Sequence, residues 1–127
     1  MYKKIIGIGT DIVNMNRIHT IFTKYTNRFL IKNFHTEEIN YFESLSEYKK
    51  IPYLAKRFAA KEAVAKAFGS GIGNSLSFQD IAILSKTSGA PFVQISKNKI
   101  PEIEDYDIHI SLSDDAHFAI AFAIVTK

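Results

Sequence analysis

An α+β fold is predicted for this chain by two features of its pattern. An N-terminal strand is followed by segments of helical periodicity, and after residue 74 the apolar residues begin to alternate. The expected architecture is an N-terminal strand and helices packed on a mainly antiparallel sheet. With 127 residues, 46% of them hydrophobic, the chain can build one core without a metal or a disulfide, so a single domain over residues 1–127 is expected.

The elements follow in order. KIIGIG at 4–9 reads as a buried strand, and NMNRIHTIFTKY after it places Met15, Ile18, Ile21 and Phe22 at helical spacing, with Asp11 or Asn14 as the starting cap. HTEEINYFESL is a second helix, capped by Thr36, with Glu37 and Glu38 in the first turn where the helix dipole favours acids. Pro52 suits the first turn of a third helix, which runs to about Phe68 and is stopped by Gly69. SFQDIAIL, PFVQI, DIHISLS and HFAIAFAIV are the later strands, with TSGAP and SDDA as turns.

The last strand has uneven faces. Phe118, Ile120, Phe122 and Ile124 are expected to fill the core, and Ala119, Ala121 and Ala123 to admit a helix or another subunit. In the strand before it, Ile108, Ile110 and Leu112 point inward, leaving His109, Ser111 and Ser113 on the opposite face.

Composition narrows the chemistry. The absence of cysteine excludes a disulfide scaffold, a cysteine zinc site and a thiol nucleophile. No stretch approaches the roughly 18–20 apolar residues that cross a bilayer, and the short N-terminal apolar run is broken by Asp11, so a soluble, cytoplasmic protein is expected. A net charge of +3 favours anionic partners without choosing among them. Nucleic acid is not expected, because no aromatic-and-basic recognition motif accompanies the charge.

The helix RFAAKEAVAKAF holds the chemistry. At about 100° per residue, Phe58, Ala65 and Phe68 fall within roughly 40° of Leu54 and define a buried stripe. Lys61 lies inside that stripe, and must extend to solvent, find an anion or face a subunit boundary. Glu62 sits at the stripe's shoulder and Lys66 one turn further out, where the two could form an i,i+4 ion pair. Asp11 is a second carboxylate from a different element, and Asp11 and Glu62 together suit Mg²⁺, which completes its shell with water and phosphate oxygens. Gly71 and Gly73 permit backbone amides to approach a phosphate, although GSGIG is not a nucleotide-binding phosphate loop.

Taken together, GIGTDIVNMNRI (7–18), RFAAKEAVAKAFGSGIG (57–73), SFQDIAI (77–83), GAP (89–91) and ISLS (110–113) resemble the holo-[acyl-carrier-protein] synthase family over nearly the whole chain and in the right order. The length is similar to the short bacterial type. The resemblance implies the 4′-phosphopantetheinyl transferase fold and transfer of the 4′-phosphopantetheine arm of coenzyme A to a serine of apo acyl carrier protein. It also implies release of adenosine 3′,5′-bisphosphate, a role in fatty acid biosynthesis, and a homotrimer with each site at a subunit boundary.

By the same resemblance Asp11 and Glu62 are the metal ligands, and Arg57, Lys61 and Lys66 are basic groups near coenzyme A phosphates or the reacting centre. Arg17 falls on the first helix, which in the family meets the carrier protein. Mg²⁺ is the implied metal and coenzyme A the co-substrate. The serine proton has two candidate acceptors, Glu62 through a water, or a Lys66 of lowered pKa. One position departs from the family, whose S-x-S strand is usually followed by histidine; here Asp114 stands in that place and His117 lies three residues on. Asp114 is therefore a candidate third ligand or base, or a turn residue, and a non-catalytic homologue that binds coenzyme A or the carrier is the second reading.

Overall fold

The computed structural model describes residues 2–127. Its elements are β1 (Ile5–Asn14), α1 (Met15–Asn33), α2 (Thr36–Ser44), α3 (Glu47–Ala67), β2 (Ile81–Ser85), β3 (Pro91–Ile95), β4 (Asp107–Asp115) and β5 (Phe118–Thr126), with 3₁₀ turns at Phe78–Asp80 and Ile103–Asp105. The α+β arrangement is as expected, but the strands divide into two antiparallel groups. β1, β5 and β4 form one sheet with β5 in the middle, and β2 and β3 form a separate hairpin.

Several boundaries move. β1 continues past Gly9 because TDIVN keeps pairing with β5 as far as Asn14 opposite Phe118, so Asp11 lies within a strand. Asn14 is the cap of α1, its side chain accepting from the Asn16 N–H at 2.8 Å. His35, one residue before the expected Thr36, caps α2, and its N–H donates to Glu38 Oε1 at 2.8 Å. α3 begins at Glu47, which puts Pro52 inside the helix rather than in its first turn. The predicted stop holds: Gly69 adopts φ +86° and donates to the Lys66 carbonyl at 2.9 Å.

The faces of β5 are the reverse of the expectation. Ala119, Ala121, Ala123 and Val125 are all 0% exposed, while Phe118, Ile120 and Phe122 are 40–45% exposed. The cause is the approach of α3. A Cβ added to Gly9 would stand 1.9 Å from the Ala63 carbonyl oxygen, and one added to Gly7 1.9 Å from that of Ala67. At that spacing the sheet can offer the helix only glycine and alanine beside Val13 and Val125, so the bulky residues turn outward. Ile108, Ile110 and Leu112 of β4 do face inward as predicted, and are half-buried.

α3 is therefore enclosed on more than one stripe. Ala59, Ala63 and Ala67 are buried, as are Leu54, Lys61 and Ala65 on the face where the sequence places the core. Phe58 is only half-buried and stacks on Phe78 with ring centroids 4.5 Å apart. Among the described residues no helix is long and apolar enough to cross a membrane.

Candidate functional site

The site forms where α3 leaves the edge of the sheet. β1 is an edge strand, and the inward pleat that places Gly7 and Gly9 under α3 also turns Asp11 toward it. Lys66 Nζ lies 3.0 Å from Asp11 Oδ1 and donates to the Thr10 carbonyl at 3.0 Å. Glu62 is one turn earlier on α3. Burial and the negative charge of Asp11 push its carboxyl above the ordinary glutamate range, and Lys66 and Arg17 pull it partly back. The fold thus joins Asp11, Glu62, Lys66 and Arg17 from β1, α1 and α3. The ion pair that forms is Lys66–Asp11, not the i,i+4 pair with Glu62.

This cluster fits a hard divalent cation. The Asp11 charge raises the proton affinity of Glu62, a repulsion that a bound cation would relieve. Both are oxygen donors and both are partly open to solvent.

Other predicted residues lie elsewhere. Lys61 does not reach the cluster. Its ammonium is 0% exposed and its three protons go to Glu38 Oε1 at 2.7 Å, the Asn33 carbonyl at 2.9 Å and the Phe78 carbonyl at 3.0 Å, which leaves none for a phosphate. Gly71 and Gly73 are also occupied, since their amides donate to the Ala65 and Leu76 carbonyls at 3.1 and 3.0 Å. Both amides thus bond within the chain. Asp114 lies on β4 two strands from β1, about 10 Å across the sheet, and its Oδ1 pairs with Lys56 Nζ of α3 at 3.0 Å. It is in a strand, not in the turn, and the cluster does not include it.

Arg57 is buried behind two residues of a second cavity, Tyr53 and Ser85. Its Nη2 donates to Ser85 Oγ at 2.8 Å and its guanidinium lies 4.7 Å from the Tyr53 ring centroid, but its Nε is buried with no hydrogen-bond partner. The adjoining cleft, of about 410 Å³, is lined by Tyr41, Tyr53, Ser85, Lys86, Thr87 and Gly89, among others. Burial raises the Tyr53 hydroxyl to about 12, against the opposing charge of Arg57, so the phenol stays neutral and donates to the Glu38 carbonyl at 3.2 Å. A separate groove of about 750 Å³ is lined by Ile21, Tyr25, Arg28, Lys32, Phe58 and Phe78, among others.

Sequence reasoning missed Glu38, Lys56, Tyr53 and Ser85. Glu38 had a signal: a lysine centred on an apolar stripe requires a buried anion. The other three lie on helices or strands where nothing in their spacing separates them from surface or core.

Residues 7–123 match the model of the 4′-phosphopantetheinyl transferase superfamily. The holo-[acyl-carrier-protein] synthase of Orientia tsutsugamushi (strain Ikeda) is 43% identical over 96% of this chain and 97% of its own. The chain belongs to the holo-[acyl-carrier-protein] synthase family. Solved family members share its fold. The Neisseria meningitidis enzyme superimposes with a TM-score of 0.88 at 35% identity, covering 98% of this chain and 100% of that one. The Helicobacter pylori family member, crystallised in complex with coenzyme A, gives 0.82 at 36% identity over 93% and 98%. The family match runs from Gly7 in β1 to Ala123 in β5, so it takes in the carboxylate cluster, Arg57 and both cavities.

Proposed function

We propose that this chain transfers the 4′-phosphopantetheine arm of coenzyme A to a serine of apo acyl carrier protein, acting as a single transferase domain that supplies fatty acid synthesis in the cytoplasm. The observation that carries the reading is the grouping of Asp11, Glu62 and Lys66 on the open edge of β1 in a chain of this family. In the reaction the serine oxygen forms a bond to the phosphorus bearing the pantetheine arm, and the bond to the adenosine-side phosphate breaks. Charge grows on the phosphoryl oxygens and on the departing bisphosphate.

Asp11 and Glu62 would hold Mg²⁺, which supplies neutralisation and orientation of the diphosphate when bound. Lys66, tethered to Asp11 and half-exposed, sets a cation beside the departing phosphate. Glu62, one turn from Lys66 and partly open to solvent, is the base assigned to the serine hydroxyl, acting through a water. Lys86 in the cleft wall and the Arg57 guanidinium behind Ser85 support a phosphate of coenzyme A as the cleft's occupant. Arg28 and Lys32 of α1 line the groove with Phe58 of α3 and Phe78, and with Arg17 further along α1 they form a basic and aromatic seat for an acidic carrier.

The exposed apolar face of β1 and β5 supports a homotrimer. Asp114 is assigned to holding Lys56 rather than to the chemistry.

Incubation of the purified chain with coenzyme A, Mg²⁺ and apo carrier is expected to raise the carrier mass by one phosphopantetheine arm. Asp11→Asn and Glu62→Gln should each lower the initial rate by about a hundredfold or more. A rate within threefold of wild type in either variant would remove the two-carboxylate site. Coenzyme A binding without any gain in carrier mass would leave only a binding protein.

A further inference from the structure

The ion pair of Lys61 and Glu38 is fully buried, both side chains being 0% exposed. Such a pair is an expensive way to fill a core, because apolar side chains of similar volume stabilise a fold as well or better. Its partners give it another use. Glu38 Oε2 accepts from the Ile83 N–H of β2 at 3.0 Å, and Glu38 and Ile83 both line the cleft beside Arg57. Lys61 donates to the carbonyls of Asn33 and Phe78, and these two residues both line the groove along α1. The pair therefore stands between the two cavities with its bonds divided between their walls.

We infer that Lys61 and Glu38 are positioning residues that tie the wall of the coenzyme A cleft to the wall of the carrier groove, an inference that rests on the function proposed above. Both ends are geometrically committed. The three ammonium protons have three acceptors on α1, α2 and the 3₁₀ turn before β2, so a shift of any one of those elements strains the others. On the cleft side the Tyr53 hydroxyl bonds the Glu38 carbonyl, and the Tyr53 ring carries the Arg57 guanidinium. On the groove side the Phe78 carbonyl is held below a ring that stacks on Phe58. Occupation of one cavity is thereby felt at the wall of the other, by way of a link whose hydrogen bonds fix its geometry.

The test compares wild type with Lys61→Met/Glu38→Leu, an apolar replacement chosen to leave no stranded charge, and with the single change Glu38→Gln, which keeps the side-chain shape. In the double variant KM for coenzyme A and KM for the carrier should both rise by about tenfold or more, with kcat within threefold, because Asp11, Glu62 and Lys66 are anchored on the sheet side of α3. Calorimetric Kd values are measured beside KM, with each ligand alone and with the other present. Bound coenzyme A should tighten carrier binding to wild type, and this effect should disappear in the double variant and shrink in Glu38→Gln. A double variant with native circular dichroism that keeps both affinities and their coupling would overturn the inference. If the double variant does not fold, unchanged affinities and coupling in folded Glu38→Gln would do the same. A wild type that binds both ligands without turnover would count against the transferase reading, while the Kd comparison would still decide the coupling.

Discussion

Burial and the neighbouring Asp11 carboxylate both raise the proton affinity of Glu62, so the residue assigned to the chemistry is also a local cost to the fold. Its folded pKa lies above its unfolded one, hence the native state holds the proton more tightly and stability falls as pH rises through that window. In metal-free buffer Glu62→Gln should therefore raise Tm at neutral pH, an advantage that should vanish below the ordinary carboxylate range. Thermal melts of both proteins between pH 3.5 and 8 would check this, and equal or lower stability of the variant at pH 7 would contradict it. Asp114 should behave differently. Its pair with Lys56 is partly exposed, and Asp114→Ala should change stability by less than about 1 kcal/mol and keep the transfer rate within a few-fold. A hundredfold loss would return Asp114 to the reaction.

Between α3 and the sheet, backbone meets backbone. The Gly7 and Gly9 positions leave no room for a methyl group against the Ala67 and Ala63 carbonyls, and these are helix backbone atoms that cannot rotate away. Gly9→Ala should destabilise the fold by about 3 kcal/mol or more, at the top of the usual range for overpacking. Gly73→Ala is the control, because nothing lies within 4 Å of its added Cβ, and it should cost less than about 0.5 kcal/mol. Urea unfolding of the two variants would decide, and equal effects would mean that the close approach is not what the glycines serve. The same packing places Asp11, two residues beyond Gly9 on the same pleat, against the helix that carries Glu62 and Lys66.

Over the whole molecule, the outward side of the three-stranded sheet is the largest departure from an ordinary soluble surface. Ile8 and Ile12 are 62% and 61% exposed and lie beside Phe118, Ile120 and Phe122 of β5. Such a patch fits a protein partner, and the proposed trimer supplies one by turning the three sheet faces toward a shared axis. Sedimentation should give a particle of three 14.4 kDa chains for wild type. Ile120→Lys/Phe122→Lys should shift it toward the monomer, with loss of transfer activity if the sites straddle the boundary. A folded double variant that still sediments as a trimer would place the interface elsewhere.

The sequence by itself determined the α+β class, the order of elements and the Gly69 stop, while the resemblance of its motifs to a known family set Asp11 beside the Glu62 helix. These are legible because periodicity, glycine stops and short motifs are local properties. Asp11, Glu62 and Lys66 do stand together. Only the tertiary structure decided which side of β5 is inside. Alternation defines two faces of a strand without saying which meets the helix, and here the helix lies too close for anything larger than alanine along most of that face. Tertiary structure also decided the partners of the charged residues. Lys61 found Glu38 from a helix 23 residues away, Lys66 took Asp11 rather than Glu62, and Asp114 met Lys56. An ion pair depends on where two charged ends meet in space, and that is settled only when the elements have packed.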